Sequence, residues 1–232
     1  MPHFSHSGDL GDIIYSLPTI RACGGGSLTI FNYPGRTAHG MSKQKVERIK
    51  PLLEVQSYIT SVDWSETFND HSLNGFRDHF RAGNLADMHL ATHGLEWQHR
   101  IAKWLEVEAT PKVEVVINRT PRYNNEGFDW PTVVDKYRGH IGFLGSPEEH
   151  GLFTDRFGKV PYIDADNLLK VAQLIAGCKL FIGNYSAPAA IAEGLKHSMV
   201  IEVCPDNRHR LGIFQRMGCI LGWDARVEWP EI

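Results

Sequence analysis

The segment HSGDLGDIIYSLPTIRAC, residues 6–23, places glycines and acidic residues at the start of a helical pattern. Glycines let the backbone approach a ligand closely, and the free amides at a helix start favour an anion. Asp12 falls in the first helical turn, where a carboxylate can act as a general base toward a substrate hydroxyl. An aspartate at this position is also explained by helix capping and by its favourable interaction with the helix macrodipole. From the spacing alone, this structural interpretation is favoured over the catalytic one. Asp9 is predicted to be a turn residue.

A second strand-to-helix corner lies in KLFIGNYSAPAAIAEGLK, residues 179–196. An apolar strand is predicted to end at Gly183, and three polar residues precede a helix of small residues with Pro188 in its first turn. Ser186 or Asn184 would cap this helix. Alternatively, its backbone amides and the polar side chains of 184–186 would bind a phosphate or a sugar.

The polar segment 65–110 contains several histidines, and His89 and His93 are spaced to share one face of a helix. Such a pair can bind a metal ion. No third ligand is identifiable, so surface histidines or histidines that bind an acceptor are the favoured interpretation.

Aromatic and basic residues offer weaker signals. Tryptophan faces can stack on a sugar or a base, but core packing is their more frequent use. The arginines are expected to be solvated surface charges, and the segment CPDNRHR (204–210) is expected to be a polar loop that could border a nucleotide. These side chains are Trp97, Trp104, Trp130, Arg119, Arg122, Arg138, Arg208 and Arg210.

The elements that must position these residues alternate between strands and helices, which predicts parallel sheets covered by helices. Around Pro111 a new alternation begins, so we expect two Rossmann-like halves, residues 1–111 and 112–232. Helical pieces are also expected at 84–94 and 95–106. The expected strands are 2–6, 27–33, 59–64, 112–117, 141–145, 179–183 and 199–204, and the expected helices are 11–23, 42–59 with an interruption at Pro51, 164–178 capped by Asp164 or Asp166, and 186–196.

Composition narrows the class of protein. The 232 residues are 42% hydrophobic and 22% charged, as in ordinary globular proteins, and no apolar run approaches the roughly 18 residues that span a bilayer. The N-terminus lacks a basic region followed by an apolar core, so a cytoplasmic location is expected. A net charge of −3 argues against nonspecific nucleic-acid binding but leaves room for a local phosphate pocket. Cys23, Cys178, Cys204 and Cys219 form no CxxC pair and are expected to be free thiols.

Together the two corners resemble a known family. GDLGDIIYSLPTIRA is similar to the N-terminal motif of the ADP-heptose–lipopolysaccharide heptosyltransferases, glycosyltransferase family nine. LIAGCKLFIGNYSAPAAIAEGLKHSMVIEV (174–203) is similar to the donor-site motif near the C-terminus of that family. The resemblance implies a shortened GT-B fold, in which two Rossmann-like domains face a cleft. Residues 1–111 would bind the acceptor and 112–232 the nucleotide-sugar donor.

By position, the resemblance makes Asp12 the catalytic base that deprotonates the acceptor hydroxyl. It implies that four elements bind the donor. They are the glycine loop, a basic residue after the first strand of the second domain, a glutamate that contacts the nucleoside, and the turn that opens the helix of the donor-site motif. The implied donor-binding residues are Ser7, Gly8, Gly11, Arg119 and Arg122, Glu149 or its neighbour Glu148, Asn184, Tyr185, Ser186 and Ala187.

The implied reaction is an inverting, metal-independent transfer that uses a nucleoside-diphosphate sugar as substrate, needs no cofactor, and glycosylates a glycan or another hydroxyl-bearing acceptor. Tyr185, Ala187 and Ala190 stand where the family has aspartate, glycine and histidine. These differences and the short chain favour an alternative, a non-catalytic nucleotide- or sugar-binding module, whereas the retained Asp12 favours an enzyme. A nucleotide-sugar epimerase is a third hypothesis, suggested only by the histidine-rich middle.

Overall fold

The computed structural model describes residues 2–32, 41–66, 73–79, 83–206 and 216–232. The chain divides into two compact units. Unit 1 comprises Met1–Glu106 and Asn167–Leu169, and unit 2 comprises Val107–Asp166 and Lys170–Ile232. The division therefore falls after Glu106, slightly before the position expected from the sequence pattern. No helix in the described ranges combines the length and the apolar character needed to cross a membrane.

Unit 1 contains a three-stranded parallel sheet in the order β1-β2-β3, with the strands His3–His6, Gly26–Phe31 and Ile59–Ser65. Its helices are α1 (Leu10–Ala22), α2 (Lys43–Glu54) and α3 (Leu85–Thr92), with 3-10 helices at Leu73–Asp78 and Trp97–Arg100. Ile13, Leu17 and Ile20 recur at helical spacing and are fully buried, which fixes the inner face of α1. α1 packs against α3.

Unit 2 contains the strands β4 to β9, which are Val115–Asn118, Ile141–Leu144, Tyr162–Ile163, Leu180–Gly183, Met199–Glu202 and Cys219–Gly222. Its helices α4 to α7 are Trp130–Lys136, Pro147–Phe157, Leu168–Gly177 and Ala187–Gly194.

The six strands form one parallel sheet in the order β6-β5-β4-β7-β8-β9. The chain runs outward from β4 through β5 to β6, and then returns to β7 on the other side of β4. The strand order therefore reverses between β4 and β7, where open parallel sheets bind their ligands.

Several sequence expectations need correction. α2 continues through Pro51 without interruption, and segment 95–106 is helical only over Trp97–Arg100. α6 begins at Leu168, so neither of the expected aspartates occupies its N-cap position. The pattern missed the helices α4 and α5 and the short edge strands β6 and β9. All four cysteines are free, as expected, although Cys23 and Cys219 are only partly buried.

Candidate functional site

In unit 1 the carboxyl end of β1 leads through residues 7–9 into α1, and Asp12 lies in the first turn of that helix. Asp9 is the N-cap residue, and its backbone N–H donates to Oδ2 of Asp12 at 3.2 Å. The same oxygen accepts a hydrogen bond from Nη2 of Arg77 at 2.8 Å. Asp12 is 9% exposed. The Asp12 carboxylate thus accepts from the N-cap amide and also forms a charge-assisted hydrogen bond with Arg77. The capping interpretation therefore holds, and it is compatible with a role as general base.

Arg77 comes from the 3-10 helix Leu73–Asp78 and was not identified from the sequence. Its guanidinium carbon lies 4.6 Å from the centroid of the Phe76 ring, a cation–π contact that fixes the arginine above the aromatic face. The side chain of Arg77 is 42% exposed, whereas that of Asp12 is 12% exposed. The arginine therefore stabilises the negative charge of Asp12 from the solvent side.

The backbone amides of the loop after β1 are used by protein side chains. The N–H of Ser7 donates to Oδ1 of Asn74 at 2.9 Å, and the N–H of Gly8 donates to Nδ1 of His6 at 2.8 Å. With the Asp9 amide, three consecutive amides have partners within unit 1. These three amides therefore have acceptors on Asn74, His6 and Asp12, and anion binding by the amides at the helix start stays a prediction.

The two glycines of the loop have different roles. A Cβ on Gly8 would lie 2.5 Å from Cε1 of His6 and 2.7 Å from Cβ of Asp12, so this glycine is required by packing. A Cβ on Gly11 would meet no described atom within 4 Å. Gly11 therefore leaves open space at the start of α1, as a close ligand approach requires. Ligand contacts of Ser7, Gly8 and Gly11 stay predictions.

The histidine pair does not form a metal-ligand face, the less favoured interpretation of the sequence, and His89 is fully buried, whereas a surface histidine was expected. Both ring nitrogens of His89 are hydrogen-bonded to protein atoms, Nε2 to Nε2 of His6 at 3.0 Å and Nδ1 to the carbonyl of Leu85 at 2.7 Å. The ring of His93 instead faces that of Phe4, with centroids 6.1 Å apart. Within the described ranges, no group of three or more His, Cys, Asp and Glu side chains is arranged to hold a metal ion.

In unit 2 the reversal between β4 and β7 is bridged by Asn184, which is fully buried directly after β7. Its Nδ2 donates to the carbonyls of Thr120 and Arg122 at 3.0 and 2.7 Å and to Oδ1 of Asn124 at 2.9 Å. Its Oδ1 accepts from the Thr120 amide at 3.0 Å. Both ends of the Asn184 amide hold the loop that follows β4. Donor contact by Asn184 stays a prediction, and this geometry favours a positioning role.

Arg119 forms a fork with Glu202, which lies at the end of β8. Its Nε and Nη2 contact the two carboxylate oxygens at 3.0 Å each. Glu202 also accepts from the backbone N–H of Asn125 at 2.6 Å and from Nε1 of Trp130 at 3.1 Å. The carboxylate is fully buried and every partner is a donor. Arg119 therefore stabilises the loop after β4 through a buried ion pair. Because its charge is already paired with Glu202, its capacity to neutralise a bound phosphate is limited.

Arg122 is exposed beside the same reversal point. Its guanidinium carbon lies 5.2 Å from the centroid of the Tyr123 ring, and that ring is 6.2 Å from the ring of Tyr185. Tyr123 has a φ of 60°, a left-handed conformation that a non-glycine residue rarely adopts. The loops after β4 and β7 thus present two tyrosines and one arginine together, which suits a sugar or a phosphate.

A pocket of about 200 Å³ lies between the loop after β4 and helix α5. Glu149 lines it, but this glutamate also accepts from the Ser146 amide at 2.9 Å, in a capping box at the start of α5. Nucleoside contact by Glu149 therefore stays a prediction. The pocket is lined by Arg119, Thr120, Pro121, Asn124, Glu149, Leu152, Phe153 and Arg156.

The donor turn predicted from the sequence is a capped helix start. Oγ of Ser186 accepts from the Ala189 amide at 3.3 Å, and Ala187 is the first residue of α7. Ser186 is therefore the cap, one of the two alternatives considered from the sequence. A phosphate contact by 185–187 stays a prediction.

The remaining sequence candidates separate by burial. Trp104 and Trp130 are fully buried in the cores, as their more frequent use predicts, whereas Trp97 is 49% exposed. Arg138 is an exposed partner of Asp135. Arg208 and Arg210, with the second half of CPDNRHR, lie outside the described residues.

Comparison with solved structures places the fold. A glycosyl transferase of family 9 from Veillonella parvula matches 94% of this chain and 84% of its own, with 13% identity and a TM-score of 0.62. The E. coli heptosyltransferase WaaC with ADP matches 95% of this chain and 92% of its own, with 11% identity and a TM-score of 0.58. The iron-containing, dodecameric heptosyltransferase TibC of enterotoxigenic E. coli, in complex with ADP-D-β-D-heptose, matches 94% and 62%, with 14% identity and a TM-score of 0.54.

No family model and no curated protein sequence matches the chain. At these identities the structural matches establish the fold and not the activity. The chain has the GT-B-like α/β fold of these solved glycosyltransferase structures.

Proposed function

We propose that this protein is a glycosyltransferase that moves a sugar from a nucleoside-diphosphate sugar to an acceptor hydroxyl. The observation that carries the proposal is the Asp12 carboxylate, held by Arg77 at the point where β1 leads into α1. The carboxyl end of a parallel strand is where such folds carry out their chemistry. The solved structures of the same fold include a heptosyltransferase with ADP and another with ADP-heptose, which supports a nucleotide-sugar donor.

The proposed reaction is a single displacement with inversion. Asp12 accepts the proton of the acceptor hydroxyl, whose oxygen forms a bond to the anomeric carbon. The bond between that carbon and the phosphate oxygen breaks, and its electron pair leaves with the nucleoside diphosphate. Arg77 keeps the carboxylate charged and oriented before the proton arrives.

Unit 2 would bind the donor. The negative charge that develops on the diphosphate needs preorganised positive groups and dipoles. The exposed Arg122 suits this task better than Arg119, whose guanidinium fork is already bound to Glu202. We propose that the transfer needs no metal ion, although the similar fold of TibC belongs to an iron-containing enzyme.

A non-catalytic nucleotide-sugar-binding module is the second candidate. It is favoured by Tyr185 in the donor turn and by the use of Asp12 in helix capping. The epimerase hypothesis has less support, because His89 of the histidine-rich segment is fully buried and hydrogen-bonded within unit 1.

A panel of ADP-, GDP-, UDP- and CMP-linked sugars tests the proposal. A donor that binds the native state raises its thermal midpoint by mass action. The hit is then incubated with a set of glycan acceptors and the release of nucleotide is measured, with and without a metal chelator. A transferase releases nucleotide only when an acceptor is present. Binding without release would establish the binding module, and no thermal shift with any nucleotide would contradict both candidates.

A further inference from the structure

Two buried histidines adjoin the loop of residues 7–9, which leads into α1 and its first-turn residue Asp12. His6, at the end of β1, and His89, on α3, are both fully buried, and their Nε2 atoms are 3.0 Å apart. A buried imidazole pair without charge is stable only when each nitrogen has a complementary partner. The four nitrogens of this pair all have one.

The partners determine where the protons lie. The Gly8 N–H donates to Nδ1 of His6, so this nitrogen carries no proton and Nε2 of His6 does. The Leu85 carbonyl can only accept, so Nδ1 of His89 carries its proton. Nε2 of His89 therefore accepts from Nε2–H of His6. The result is one directional chain, from the Gly8 amide through both rings to the Leu85 carbonyl.

Burial supports the neutral state of this chain. It lowers the pKa of His89 to about 3, and the neighbouring Arg77 and His93 act in the same direction. An added proton would place two N–H groups against each other and break the chain at Gly8. The ordinary imidazole titration near neutral pH is thereby removed from His89.

His89 also supports the arginine that holds Asp12. Its ring stacks on that of Phe76, with centroids 4.1 Å apart and planes 16° from parallel. Phe76 also contacts Arg77, whose guanidinium binds Asp12. His89 therefore connects to the carboxylate along two routes. Hydrogen bonds lead through His6 to Gly8, whose chain neighbour Asp9 donates to Asp12, and ring contacts lead through Phe76 to Arg77.

We propose that His6 and His89 form a positioning relay that sets the placement of the glycine loop and the Asp12 carboxylate. The inference rests on the proposed role of Asp12 as base. The relay moves no proton during the reaction. It holds the loop, whose Gly8 Cα hydrogens face His6 and Asp12 with no room for a side chain.

The first test needs no variant. Nitrogen-15 NMR of the wild-type imidazoles at pH 7 distinguishes protonated from unprotonated ring nitrogens. The relay predicts opposite tautomers, Nε2–H for His6 and Nδ1–H for His89. Identical tautomers, or a charged imidazolium in either ring, would overturn the proposal.

The second test compares His89→Phe with the matched control His93→Phe, at the C-cap of the same helix. His89→Phe keeps a ring to stack on Phe76 and removes both hydrogen bonds. We expect kcat to fall on the order of ten- to a hundredfold with the donor KM nearly unchanged, because small misplacement of a reacting group has this effect. The carboxyl carbon-13 signal of Asp12 should shift in His89→Phe and stay in place in His93→Phe.

Equal kcat values and an unmoved Asp12 signal in His89→Phe would refute the relay. If wild-type protein transfers no sugar, the proposed function fails, while the tautomers and the Asp12 signal still decide whether the relay exists.

Discussion

Glu202→Gln is the change with the largest effect that the structure predicts in unit 2. The fully buried carboxylate accepts from the Arg119 guanidinium, the Asn125 amide and the Trp130 indole. All three are donors, so the NH₂ of glutamine faces a donor in either orientation. The exchange also leaves the Arg119 charge, which is 9% exposed, without its counter-ion.

The expected loss of stability is about 3–5 kcal/mol, the usual cost of removing one partner from a buried ion pair. Because 1.4 kcal/mol corresponds to a factor of ten, amides of β4 and β7 should exchange hydrogen on the order of 10²- to 10⁴-fold faster. Hydrogen exchange is the appropriate assay, since it separates unit 2 from unit 1 where a single melting midpoint does not.

Glu126→Gln is the matched control. Glu126 also pairs with an arginine of unit 2, Arg156, but the two side chains are 69% and 50% exposed. Water replaces this pair readily, so exchange of β4 and β7 should stay close to wild type. Adding Arg119→Met to Glu202→Gln should recover part of the loss by removing the unpaired charge. Equal exchange in Glu202→Gln and Glu126→Gln would refute the assignment of Glu202 as the buried anchor of this loop.

Four further substitutions test the remaining contacts. Gly8→Ala should destabilise unit 1 by about 1–3 kcal/mol, because the added methyl group overpacks the space beside His6 and Asp12. Gly11→Ala should stabilise unit 1 by up to about 1 kcal/mol, and it should still reduce the transfer rate if a ligand approaches the backbone at this position. Unfolding and rate measurements on both variants check these expectations. Asn184→Ala should cost about 1–3 kcal/mol and raise the donor KM as its loop loosens, measured by calorimetry and initial rates; an unchanged KM would contradict the positioning role. The folded-state pKa of His89, about 3, lies below its unfolded value, so the unfolded chain binds more protons between these two pKa values. The free energy of unfolding should therefore decrease as the pH is lowered below about 6.5, by up to about 1.4 kcal/mol per pH unit. In urea titrations at several pH values, His89→Phe should reduce this pH dependence.

The strand-to-helix corners could be predicted from the sequence because they depend on local pattern. Apolar runs followed by glycine and a capping residue identified β1 with α1 and β7 with α7. The short edge strands β6 and β9 carry too few residues for such a signal. Helix α5 was missed although Ser146, Pro147 and Glu149 are a capping-box signature that the sequence displays.

The partners of the site residues were not predictable in the same way. Arg77 and Asn74 meet the first loop from a polar segment more than 60 residues away, and no periodicity marks them. Glu202 did leave a signal, since a glutamate inside the apolar run MVIEVC predicts a buried partner. From that signal, Arg119 could have been predicted to form an internal ion pair and not a phosphate contact.

The central claim concerns Asp12, and its most direct measurement is the transfer rate of Asp12→Asn with a confirmed donor and acceptor. Asparagine keeps the size of the side chain and an oxygen that can accept from Arg77, but it cannot take up the acceptor proton. Loss of general-base catalysis predicts a fall in kcat on the order of 10²- to 10⁴-fold with donor binding retained. A kcat near the wild-type value would contradict the assignment of Asp12 as the base.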